Sequence, residues 1–380
     1  MMNILLPMFL FLTAGCIIGG VAVALLMRNS RRVRLFISKR MNEREAAAAA
    51  VQLRLSAGPH FVTVGGGTGL SSLLMGLKGY TRNITALVTV TDEGGSSGRL
   101  VRDWGMLPPG DIRNCLVALS ENDDRLRAFL NFRFDRGDLK GHSLGNLMLL
   151  AATEQTGDFK NAVELMNNLL ATRGRVLPIT TENVTLAAQT SDGGTLRGEL
   201  AIASRGKDIT GICLLPEGAK IVPEALKAIE QADMIILGPG SLFTSVIPNL
   251  LVDDCAEALC ASGKPIVYVA NLMTQPGETS GLSQLDHIKW VAGVLGRYPD
   301  AVIVSDDAIP DFLREKYSEQ GAEPLFLYHE DETFLLQQNC RVFRASLLQI
   351  KDCSVVRHHS ARLAETLMRV TRKLTDTEQA

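Results

Sequence analysis

The sequence predicts an α/β protein built on a doubly wound, mainly parallel sheet with a helical insertion. Three observations predict it. Short apolar runs rich in β-branched residues recur along the chain, stretches with helical apolar spacing separate them, and glycine-rich or acidic turns follow them. FVTV (61–64) leads into a glycine turn and then LSSLLMGLK, which has helical spacing. ITALVTVT (84–91) ends at Asp92, and MIILG (234–238) runs into Pro239. PIVYVA (265–270) runs into Asn271, and AVIVS (301–305) into Asp306. Strands this apolar are covered on both faces, as in a parallel sheet. From about 110 to 171 the pattern is helical, which gives the insertion. VTLAAQT and TLRGELAIA flank Ser191-Asp192-Gly193-Gly194 and read as an antiparallel hairpin.

Residues 4–27 form an uncharged run of 24. At about 1.5 Å per residue such a helix is roughly 36 Å long, enough for a bilayer core. Arg28, Arg31, Arg32 and Arg34 follow at once. The positive-inside rule places that flank, and the body behind it, in the cytoplasm. The organisation expected is a transmembrane anchor at 1–27, a basic juxtamembrane and helical linker at 28–57, and one α/β domain at 58–380. The protein is then a cytoplasmic domain tethered to the inner face of the cell membrane. The chain of 380 residues is 46% hydrophobic, which excludes a disordered polymer. Its aromatic content of 5% and net charge of −2, with seven of the 39 bases in the juxtamembrane stretch and an acidic balance over the remainder, argue against nucleic acid as a partner. The seven cysteines are scattered, with no C-x-x-C, and read as reduced packing residues.

The chemistry-bearing groups fall where parallel strands end, and ligands of open α/β sheets bind there, near the topological switch point. Gly65, Gly66, Gly67, Thr68 and Gly69 let backbone amides approach a phosphate. The stretch is neither a Walker A loop nor a full G-x-G-x-x-G, because Leu70 stands at the third glycine position. That gap also weakens a nicotinamide-dinucleotide reading, although Asp92 ends the second strand as a ribose-binding acid would. Asp92 and Glu93 precede Gly94, Gly95, Ser96, Ser97 and Arg99. The acids suit a magnesium ion or a ribose, and the loop with its guanidinium suits phosphate oxygens. Asp111, Arg113 and Asn114 open a helix. His142 and Asn146, four residues apart, share a helix face. Gly238, Gly240 and Ser241, with Thr244 and Ser245, offer a second anion nest. Asn271, Thr274 and Gln275 suit a sugar or base edge, while Glu278 and Thr279 could cap the next helix. No nucleophile–base–acid set stands out, so the site is built more clearly to bind a phosphorylated, nucleotide-like ligand than to catalyse.

These stretches, GGGTGLSSLLMGLK (65–78), ITALVTVTDEGGSSGRL (84–100), PPGDIRNCLVALS (108–120), GHSLGNLML (141–149), ADMIILGPGSLFTSVIPNLLV (232–252) and NLMTQPGETSGL (271–282), resemble the YvcK/CofD family, closest to its YvcK branch. The resemblance runs through about 60–310 and implies a Rossmann-like fold. On the YvcK side it implies a regulatory protein that binds UDP-sugars, notably UDP-N-acetylglucosamine. Such a protein supports growth, cell shape and wall synthesis on gluconeogenic carbon sources, with no settled enzymatic activity and no certain cofactor. On the CofD side it implies a magnesium-dependent phospholactyl transferase. A homo-oligomer and, on the YvcK side, cell-wall regulatory partners are further partners to expect. This chain has Glu93 where members usually carry a second aspartate, and a membrane segment that many members lack.

Overall fold

The computed structural model describes residues 43–121, 124–205, 209–352 and 354–375. The expected membrane helix at 4–27 and the arginine cluster behind it lie outside these residues. Among the described residues no helix is long and apolar enough to cross a membrane. The chain divides into two units, with the boundary after Ala57. In the first, the alanine-rich linker forms the helix Glu43–Ser56, as its run of good helix formers dictates.

The second unit carries a seven-stranded sheet made of β1 (Phe61–Gly65), β2 (Ile84–Val88), β3 (Arg175–Pro178), β7 (Met234–Leu237), β8 (Ile266–Val269), β9 (Ala301–Ser305) and β10 (Arg341–Ala345). Its order is β10-β9-β8-β7-β1-β2-β3 and every neighbouring pair is parallel. All five strands expected from the apolar runs are present. β1, β7 and β8 are buried along their whole length, so both faces are covered and no in–out alternation is needed. Consecutive connections leave β1 towards β2 and β3 on one side and towards β7 on the other, which makes the β1/β7 seam the switch point.

The segment between β2 and β3 includes the helices Gly95–Trp104, Gly110–Leu119, Asp124–Asn131, Leu144–Thr156 and Phe159–Leu169. Ser143 and Asp158 cap the last two, each side chain accepting from the backbone amide three residues on. A second sheet, ordered β5-β4-β6, contains β4 (Thr185–Thr190), β5 (Thr195–Arg197) and β6 (Ile209–Leu215), all antiparallel. The hairpin forms, but its second arm is shorter than the sequence suggested. β5 stops at Arg197, Gly198 turns at φ +89°, and Glu199–Arg205 is a helix. A left-handed φ is cheap only for glycine, so the strand ends there, and β6 covers the other side of β4.

After β10 come a small hairpin, β11 (Leu348–Lys351) with β12 (Val355–His358), and the helix Ser360–Thr375. That last helix packs against Gly67–Leu77. The contact is close enough that a Cβ on Gly76 would lie 2.1 Å from the Ser360 carbonyl oxygen.

Candidate functional site

The glycine turn after β1 and the Gly238–Ser241 turn after β7 meet at the switch point. A Cβ on Gly69 would lie 2.5 Å from the Pro239 carbonyl oxygen, so only glycine lets the two backbones approach. Gly67 adopts φ +64°, a second place where glycine is required. Gly65 closes β1 behind them. Beside this seam opens a cleft of about 250 Å³. Gly66, Gly67, Thr68 and Gly69 line it from one side, and Gly240, Ser241 and Ser245 from another. Asn271, Thr274 and Gln275 form a third wall. Three of the expected segments therefore converge.

The third wall is tied to the second. Gln275 Nε2 donates to Ser241 Oγ at 2.6 Å, while Gln275 Oε1 has no hydrogen-bond partner within the protein. Thr244 faces away from this cleft. It is buried, and its amide and hydroxyl donate to the Glu278 carboxylate. Glu278 also accepts from the Phe243 amide at 2.8 Å. The nest after β7 is thus filled by the protein's own carboxylate. Glu278 and Thr279 do not cap the following helix: Ser283 caps Gln284–Leu295, in a reciprocal box with Asp286.

Asp92, Glu93, Gly94–Ser97, Arg99, Asp111 and Arg113 form a second cluster that joins the cleft through Asp111. A Cβ on Gly66 would meet Asp111 Oδ2 at 2.4 Å, and one on Gly110 would meet Asp92 Oδ2 at 2.2 Å. Asp92 Oδ1 accepts from the Gly94 amide at 2.8 Å, which fixes the start of Gly95–Trp104. The Glu93 side chain turns from this pair towards Gly198, and its amide donates to Glu199. Ser96 is shared by His142 Nδ1, at 2.9 Å, and by Asn146 Nδ2, at 3.1 Å. All three are buried, but Asn146 Oδ1 has no partner within the protein. His142 precedes the helix Leu144–Thr156 and so does not share its face, and Ser96 lies in the helix Gly95–Trp104 where the sequence suggested a loop. Arg99 donates to the Lys140 carbonyl at 2.6 Å. Arg113 is buried and bonded to Asn131, and Asn114 is half-buried beside it.

The electrostatics follow from crowding of carboxylates. Burial, then the charge of Asp92, push the Asp111 carboxyl up to about 7, against the Gly67 amide and Arg113. Burial and Asp92 also raise Glu199, and burial raises Glu278 to about 7. Among the described residues no group of three or more histidine, cysteine, aspartate or glutamate side chains has the arrangement of a metal centre. The two like-charged acids Asp92 and Asp111 do have the chemistry of a magnesium site that is completed by phosphate oxygens and water. The folded state holds the Asp111 proton more tightly than the unfolded chain does. The stability tied to this group therefore rises as pH falls from about 7 into the ordinary carboxylate range, and is lost as pH rises through about 7. Asp111→Asn should raise the melting temperature near pH 8 by about 5 °C and flatten its pH dependence below that. An unchanged melting profile would contradict this electrostatic picture.

The cleft has walls that the motifs did not announce. Tyr317, Gln320, Arg357 and His358 line it. Arg357 is exposed and donates to the Val356 carbonyl at 3.3 Å. His358 is buried, its imidazole pushed down to about 4 by burial and therefore neutral. Its Nε2 lies 3.2 Å from the Ala270 carbonyl oxygen, which assigns the proton to that nitrogen. The only sequence signal for the Arg357–His358 part of this wall is the short apolar stretch on each side of Asp352.

The chain is a doubly wound α/β protein with a glycine-lined cleft at its switch point, the place where ligands of such folds bind. The comparisons narrow the class. The family model of 2-phospho-L-lactate transferase CofD matches residues 61–348. The gluconeogenesis factor of Bacillus subtilis is 42% identical over 312 residues, covering 82% of this chain and 97% of that one. Its namesake from Halalkalibacterium halodurans is 42% identical over 309 residues, covering 81% and 95%. A crystal structure of a Bacillus halodurans protein superposes with a TM-score of 0.79 at 40% identity, covering 82% of this chain and 99% of that one. The chain belongs to the CofD/YvcK family.

Proposed function

We propose that the switch-point cleft binds a nucleotide-sugar, UDP-N-acetylglucosamine, and that the protein is a regulatory factor of the YvcK type serving growth and wall synthesis on gluconeogenic carbon sources. The observation that carries this reading is the seam where the turns after β1 and β7 touch with no room for a Cβ. Such a seam exposes backbone amides to a diphosphate, while the Asn271–Gln275 wall offers amide and hydroxyl groups to a sugar or base. Relatives named gluconeogenesis factor support the same reading. Calorimetric titration with UDP-N-acetylglucosamine, GDP and NAD tests it. Saturable binding of the UDP-sugar, outcompeting the other two, is expected; preference for NAD would overturn it.

One observation favours a second reading, magnesium-dependent nucleotide-linked transfer of the CofD kind. Asp92 and Asp111 crowd each other beside the glycine turn, and a divalent cation would relieve that repulsion. When bound, magnesium would neutralise phosphate charge at Asp92 and Asp111; the glycine turn would orient the phosphates, and Arg357 would face them. Turnover of a phospholactyl donor in magnesium but not in chelator would favour transfer over binding. We place the body at the inner face of the membrane, held by residues 4–27; a reporter fused at the carboxyl end and active only outside the cytoplasm would refute that topology.

A further inference from the structure

We infer that Glu278 is a positioning residue of the cleft: its carboxyl group is an internal acceptor seated on the turn after β7, and it holds Ser241 and Gln275 at the spacing the ligand meets. The inference rests on the cleft being the ligand site proposed above. Glu278 is 3% exposed. It accepts from the Phe243 amide at 2.8 Å and from the amide and hydroxyl of Thr244. These donors sit in Leu242–Val246, a π-helical turn; such turns are rare and concentrate at functional sites.

At its other end Glu278 is locked to Gln275. The amides of Glu278 and Thr279 donate to the Gln275 carbonyl at 3.1 and 2.9 Å, and the Gln275 amide donates to Thr279 Oγ1 at 2.9 Å. Gln275 Nε2 then reaches Ser241 Oγ. Two loops from neighbouring strands are therefore joined twice, once in the interior through Glu278 and once at the cleft wall through Ser241 and Gln275. Hydrogen bonds from Phe243 and Thr244 are what stabilise the carboxylate. A side chain kept only for packing would be cheaper if apolar, because a buried charge carries a desolvation penalty. What the charge supplies is a fixed point where three donors of one loop converge on a residue of the other.

The test uses the full chain with Glu278→Ala and Glu278→Gln. The alanine variant leaves a gap the size of a carboxylate, lined by three donors, and formate is the probe that fits it. Expected is a loss of UDP-N-acetylglucosamine affinity of roughly 10- to 100-fold. Formate should raise the melting temperature of Glu278→Ala, but not of the wild type, and recover part of the affinity. A folded Glu278→Ala protein with wild-type affinity, or with no formate-dependent rise in melting, would overturn the inference. Should Glu278→Ala fail to fold, Glu278→Gln carries the test. It should melt close to wild type yet bind at least about tenfold more weakly, since its amide presents one acceptor to three donors; wild-type affinity would refute the role. Failure of the wild type itself to bind would sink the proposed function alone. The formate effect on melting, which needs no nucleotide-sugar, would still decide whether Glu278 is the acceptor of that turn.

Discussion

Gly69→Ala should remove ligand binding almost entirely while leaving the protein folded. The new methyl would sit 2.5 Å from the Pro239 carbonyl oxygen, 2.9 Å from its carbon and 3.2 Å from the Gly240 Cα. All three are backbone atoms, so none can rotate away. Either the helix Gly67–Leu77 slides or the turn after β7 retreats, and both movements open the seam that presents the amides. β1 and β7 behind the seam are paired from Phe61–Met234 to Val64–Leu237, which confines the adjustment to the loops. Overpacking of this kind costs about 1–3 kcal/mol, or a drop of about 2–8 °C in melting temperature. Affinity for UDP-N-acetylglucosamine should fall at least about 100-fold, because phosphate contacts depend on placement to within a fraction of an ångström. A soluble variant with wild-type affinity would disprove the seam as the phosphate site.

Arg357→Ala should cost nearly as much, by a different route. Of the residues lining the cleft, Arg357 alone carries a permanent positive charge; His358 is neutral, and the remaining polar walls are amides and hydroxyls. A charge-assisted hydrogen bond is worth about 1.5–3 kcal/mol, hence roughly a ten- to hundredfold loss of affinity. Arg357 is exposed, so melting should hardly move. Arg357→Lys should recover the salt-dependent part of the affinity without the bidentate part. Equal binding by the alanine variant and the wild type would mean that the hairpin wall is not part of the ligand site.

The sheet was legible where strands are buried on both faces. FVTV, MIIL and IVYV announce themselves because no charged residue interrupts them. β3 and β10 at the sheet edges did not. β10 reads Arg-Val-Phe-Arg-Ala, exposed at both arginines, and a charged edge strand imitates a loop while protecting the sheet from further pairing. The site was half legible. Glycine turns carry their reason in their composition, so the 65–69 and 238–241 segments could be placed at strand ends. The acid beside Asp92 could not, because adjacency in sequence favours Glu93, whereas folding brings Asp111 across from a different helix. Glu199 and Arg357 were illegible for the same reason, being isolated residues in unremarkable segments. Glu278 stood inside a noticed motif, but its partner is the turn after β7, which no local spacing reveals.

The contact between Gly76 and Ser360 orders events in time during synthesis. The helix that begins at the glycine turn is among the first parts of the body to leave the ribosome, yet the helix that braces it is the last element described. β1 likewise waits for β7, whose residues are joined more than 160 positions later. A nascent chain therefore exposes its glycine turn without the support that shapes it. The cleft is complete only once the chain has been made as far as His358, because its walls span residues 66 to 358.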